Sequence, residues 1–109
     1  MRNVIANFEK MLAAGKDDAL LRFGLGNEYF KAGDFGMAAG HLQRAVALDR
    51  NYSAAWKLLG KALSELGQFA AALKAYENGI EAADTQGDQQ AAKEMRVFAN
   101  RLRKQHDLG

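Results

Sequence analysis

The sequence predicts an all-α fold of short antiparallel helix pairs. Three observations carry that prediction: an internal period of 34 residues, the absence of proline, and alanine at about a fifth of all positions. Average usage of about 5% would place roughly five prolines in a chain of this length. Their absence favours helices joined by glycine-based turns, because proline inside a helix removes a hydrogen bond and clashes with the preceding turn. Alanine is the strongest helix former. The 109 residues suffice for a single domain, 1–109, which can bury roughly two-thirds of the surface its unfolded form exposes. With no cysteine there is no disulfide framework, thiolate metal site or thiol nucleophile.

The elements follow in order. Residues 2–14 place Val4, Phe8, Met11 and Ala14 at helical spacing, and Gly15 ends the run. This segment reads as the second half of a repeat that would cover the face left open by the first full one. Residues 19–52 and 53–86 then match at an offset of 34: Leu25-Gly26 with Leu59-Gly60, Gly33 with Gly67, Phe35 with Phe69, Ala38 with Ala72. Arg22 opposite Trp56 is the one bad mismatch. Asp17 or Asp18 caps a helix running to about Ala32, which Gly33 ends, and Asp34 caps the next, from Phe35 to Leu48. Ser53 repeats the start signal for a helix to about Leu66, closed by Gly67, and a fourth spans Phe69 to Ala83. Small residues at Gly26, Ala38, Gly60 and Ala72 permit close approach of the paired backbones. Past an Asp84–Asp88 linker the strict period fails, but Ala91, Met95, Phe98 and Leu102 form an apolar stripe. A shift of about one residue returns that stripe to the packing face, so residues 88–105 read as a terminal capping helix.

Trp56-x-x-Leu59-Gly60 followed by Ala72-x-x-x-Tyr76, with Leu25-Gly26-x-x-Tyr29 and Ala38-x-x-x-Leu42 in the first copy, resembles the tetratricopeptide repeat. The resemblance implies a short right-handed superhelix of antiparallel helix pairs that holds peptides or helices of other proteins in its concave groove. Arg50 and Asp84 stand where that family usually has proline. The family's carboxylate clamp is only partly matched. Asn27 fits its first asparagine, but Phe23, Leu58, Asp88 and Ala92 occupy the places of its other residues.

Catalysis has no footing in the sequence. His41 falls on a predicted helix exterior and His106 in a predicted frayed tail, and neither has a partner at metal-ligand or acid-base spacing. The expectation is therefore a nonenzymatic protein with no cofactor and no metal site. Fifteen basic against thirteen acidic residues, a net charge of +2, create no field that would steer the chain to nucleic acid. No run approaches the length of a membrane span and no signal peptide is evident, so the expected setting is cytoplasmic.

What remains is surface. The first helix of each pair lines the inner face of such a solenoid. It presents Phe23, Asn27 and Phe30 from one copy and Lys57 and Lys61 from the other, beside Leu20, Lys31, Ser64 and Glu65. Two aromatic anchors, an amide and two cations suit a peptide with an apolar side chain and an acidic group. The expected function is thus a noncatalytic interaction module, with Phe23, Asn27, Phe30, Lys57 and Lys61 as its peptide groove. The alternative is a structural subunit that self-assembles weakly through the array ends or the C-terminal helix.

Gly36 and Gly40 both lie inside helix 35–48, and each costs roughly 1 kcal/mol relative to alanine. Amide hydrogen exchange should therefore be faster in helix 35–48 than in helix 69–83, and the reverse order would contradict this reading.

Overall fold

The computed structural model describes residues 2–108 as six helices: α1 (Arg2–Ala13), α2 (Ala19–Lys31), α3 (Phe35–Leu48), α4 (Ser53–Glu65), α5 (Phe69–Gln86) and α6 (Gln89–His106). The starts of α2, α3 and α6 share one device. Asp18, Asp34 and Asp88 each accept a hydrogen bond from the backbone N–H three residues on, at 2.8, 3.3 and 3.1 Å. Helix α4 starts differently from the expectation. Tyr52 stands at its cap without a side-chain hydrogen bond, and Ser53 is the buried first residue of the helix. The ends of α2 and α4 are the same turn one period apart: Gly33 and Gly67 take φ of +80° and +76°, and the following N–H groups reach back to Tyr29 and Leu63.

The helices pair as α2 with α3 and α4 with α5, while α6 packs on α5 and α3 on α4. Helices α2, α4 and α6 touch in sequence along one side of the molecule. In each pair a glycine meets a large side chain. A Cβ on Gly26 would lie 2.5 Å from Leu42 Cγ, and one on Gly60 would overlap the Tyr76 ring. Leu42 and Tyr76 are 34 residues apart and both are buried. Arg50, standing in place of the family's usual proline, fastens the turn between the pairs by another means: the Trp56 indole N–H donates to its carbonyl at 2.8 Å.

At the C-terminal end α5 runs three residues past its expected stop, to Gln86, and the connection to α6 is only Gly87 and Asp88. The register consequently moves by two residues rather than one. Ala92, Met95 and Ala99 take the buried places corresponding to Trp56, Leu59 and Leu63. His106 is the last residue of α6, and its ring stacks on Phe69 at 3.5 Å instead of lying in a frayed tail.

Helix α1 docks less fully than its pattern implied. Phe8 packs onto α2 at Gly24, but Met11 is 37% exposed and Ala14 lies exposed beyond the helix end, because no helix covers their side. A polar network ties α1 to the rest, and it overturns the surface assignment of His41. That ring is 7% exposed, stacked 5.5 Å from Tyr29, and its Nδ1 lies 3.1 Å from the Arg22 guanidinium. Arginine can only donate, so Nδ1 accepts and the proton sits on Nε2, which is buried without a partner. Arg22 also grips Asp17 through two hydrogen bonds of 2.7 and 3.0 Å, with Arg44 alongside at 3.7 Å, and Tyr29 donates to Glu9 of α1 at 2.8 Å. The Arg22 that broke the repeat pattern is the hub of this network.

Two tests follow from the packing. Gly60→Ala should destabilise by about 1–3 kcal/mol because Tyr76 is buried and cannot move aside. Gly40→Ala, on an exposed face with open space around it, should stabilise by about 0.5–1 kcal/mol. Paired urea melts check both signs.

Burial, first, and the Arg22 charge push the His41 imidazole below its ordinary value of about 6.5, against the opposing pull of Glu9 and Asp17. The unfolded chain therefore binds more protons below that value, so stability is complete above pH 6.5 and declines as pH falls toward the folded pKa. Asp17, held below the usual carboxylate range by the Arg22 hydrogen bond, contributes its pH dependence only at more acidic values. The melting temperature should drop between pH 7.5 and 5.5, and His41→Gln should flatten that drop. An equal drop in the variant would locate the proton uptake elsewhere.

Candidate functional site

The side formed by α2, α4 and α6 carries a cleft of about 290 Å³. Phe30 closes one wall at the end of α2, where it meets Phe35 edge-on at 5.1 Å. Lys61, Ser64 and Glu65 enter from one face of α4, and Phe98, Arg101 and Gln105 from one face of α6. Tyr76 and Phe69 form the floor from α5.

Charge in this cleft is arranged around one ring. Lys61 Nζ lies 5.4 Å from the Phe98 centroid and the Arg101 guanidinium carbon 6.0 Å from it. Both are within the range at which a cation is attracted to an aromatic face. Among the described residues neither Lys61 nor Arg101 forms an ion pair, and the one carboxylate lining the cleft is Glu65. Burial pushes the Tyr76 phenol up, with Ser64 and Arg101 opposing, so this floor residue is neutral at physiological pH. The cleft therefore offers aromatic walls, hydroxyl and amide groups, and two cations held by a ring rather than by carboxylates.

The five residues that the sequence assigned to the groove are distributed along this side rather than gathered. Phe30 and Lys61 line the cleft. Phe23 lies further toward the N-terminus, 5.0 Å from Tyr52 at the start of α4, and Asn27 is half-buried between the two phenylalanines on α2. Lys57 is engaged within the fold: its Nζ donates to Glu94 Oε1 at 2.9 Å, joining α4 to α6. That hydrogen bond, with another from Gln90, holds the Glu94 carboxyl below the usual range.

Sequence reasoning missed the whole contribution of α6. Phe98 belongs to the apolar stripe by its spacing, yet it is only half-buried and turns toward Lys61. Arg101 is likewise absent from the groove that the sequence assigned. The signal lay in the helical spacing along α6: Phe98, Arg101 and Gln105 fall at i, i+3 and i+7 on one face, beside the buried Met95 and Leu102.

Comparison with known proteins agrees with this architecture. The tetratricopeptide repeat family model matches residues 23–88. A tetratricopeptide repeat-containing protein of Pseudomonas aeruginosa is 57% identical over 99 residues, spanning 91% of this chain and 94% of that protein. A solution structure of a Bordetella parapertussis protein superposes with a TM-score of 0.80 at 45% identity, covering 96% of this chain and 91% of the other. The crystal structure of YrrB, described as a repeat protein of this kind with an unusual peptide-binding site, matches at a TM-score of 0.54 and 29% identity. That match covers 95% of this chain and 61% of YrrB.

Proposed function

The chain belongs to the tetratricopeptide repeat family, whose fold generally serves protein–protein interaction and is typically noncatalytic, and on that premise we propose that it is an adaptor gripping an acidic peptide segment of another protein in the α2–α4–α6 cleft. The observation that carries this reading is the pairing of Lys61 and Arg101 about the Phe98 ring, opposite Phe30. An apolar side chain of the peptide fills the space between Phe30 and Phe98. A neighbouring carboxylate takes charge-assisted hydrogen bonds from the two cations. Asn27 and Phe23 extend the track along α2, and Lys57 holds α6 at the right distance through Glu94.

This arrangement differs from the family's carboxylate clamp. With α6 in its observed register, Gln90 and Glu94 stand two residues beyond Asp88 and Ala92, and neither is cationic. The cations lie further along the helices, at Lys61 and Arg101. No helix among the described residues is long and apolar enough to cross a membrane, and a cytoplasmic location goes with the adaptor reading.

An array of short peptides that place Asp or Glu beside Leu or Phe supplies the test. The protein should select acidic-apolar sequences, and Lys61→Glu with Arg101→Glu should weaken the selected peptides by about tenfold or more. Lys93→Glu, which changes an exposed cation outside the cleft, should have little effect. Equal affinity in the double variant and the parent would remove the cleft as the binding site.

A further inference from the structure

A second cleft, of about 340 Å³, opens at the other end of the molecule between α1 and α2. Phe8 and Met11 line it from α1, Leu20 and Phe23 from α2, and Lys16 and Asp18 from the loop between them. Gly24 shapes it: a Cβ there would come within 2.9 Å of Phe8 Cε2, so the missing side chain lets the Phe8 ring rest on α2. Leu20 is 72% exposed, the most exposed of the large apolar residues in the described chain. Phe23, which also extends the peptide track along α2, is the one group shared with the proposed peptide site; the others lie outside the acidic-peptide cleft.

From this surface we infer that the chain forms a two-fold symmetric dimer in which each Leu20 enters the α1–α2 cleft of a second copy. Three features select a second copy as the occupant. A protruding leucine stands beside a hollow lined by Phe8 and Met11, and a knob next to a hole on one surface is self-complementary under a two-fold axis. The rim carries one charge of each sign, Lys16 and Asp18, so the same axis brings Lys16 of each copy to Asp18 of the other. Asp18 is suited to this because its Oδ1 caps α2 and its Oδ2 makes no hydrogen bond among the described residues. A partner of one charge sign meets a like charge on such a rim, and the adjacent Asp17 is already engaged by Arg22 and Arg44.

Head-to-tail stacking of copies is disfavoured by the same charges. The outer face of α6 presents Lys93, Asn100 and Lys104 around a single exposed valine, Val97. Seating that face on α1 would bring two lysines toward Lys10 and Lys16 and fill the cleft poorly.

Sedimentation equilibrium of the full chain from micromolar to near-millimolar concentration tests the dimer. The mass should rise from 11.9 kDa toward twice that value. Leu20→Glu should keep the protein monomeric throughout, and Lys16→Glu should weaken the dimer by about tenfold. A glutamate in the first turn of α2 suits the helix dipole, so the fold should survive, as an unchanged thermal melt would verify. Lys16→Glu, at a residue outside the peptide track, should leave peptide binding in the α2–α4–α6 cleft intact, which separates failure of the dimer from failure of the adaptor reading. A parent protein that stays monomeric at near-millimolar concentration overturns the inference, and so does a dimer that Leu20→Glu leaves unchanged.

Discussion

The spacing within each helix pair depends on a place where a helix has no side chain. At Gly26 and Gly60 the backbone of the first helix of a pair is met directly by Leu42 and Tyr76 from the second. Close packing there sets how near the helices of each pair lie, and interiors packed to crystal-like density leave little slack for any other spacing. Because the two sites are one period apart, both pairs adopt the same geometry. The turn between them then falls where the Trp56 indole can reach the Arg50 carbonyl. The long series of buried alanines, among them Ala38, Ala45, Ala62, Ala72 and Ala75, continues the same close approach away from the glycines.

The cleft is a consequence of that spacing together with the register of α6. Helix α5 is four residues longer than α3, and the short Gly87–Asp88 connection carries the next helix two residues beyond the strict period. With the strict period, Lys93 and Glu94 would face the core. In the observed register Met95 is fully buried, and the Phe98 ring is presented to Lys61 and Arg101. Glu94 then faces Lys57 and fastens α6 to α4. One carboxylate thus occupies one lysine and leaves the other to the cleft, although the two lysines stand a single turn apart on the same helix.

The N-terminal end follows different physics. Helix α1 has neither a Gly–large contact of the buried kind nor a member in the main apolar cluster. It is held by the Phe8 ring on Gly24 and by the polar chain from Glu9 through Tyr29 to the stacked His41 and Arg22. Partly buried polar chains of this sort are specific in geometry and sensitive to protonation. The apolar groups that α1 leaves uncovered, Met11 and Leu20, are the ones that furnish the second cleft.

The all-α class, the paired helices with their glycine turns and the close-approach positions at Gly26 and Gly60 are legible in the amino-acid order alone. All of these rest on local propensity and on a period that repeats along the chain. That order also reaches Phe30 and Lys61, because side chains one face apart on a helix can be counted off from 3.6 residues per turn. Contacts between helices pair Lys57 with Glu94, bring Phe98 and Arg101 to the cleft, and bury His41 against Tyr29. Those outcomes depend on which residues meet across different helices. They were set by a two-residue shift and by an arginine at the place of a tryptophan, neither of which changes the local helical signal.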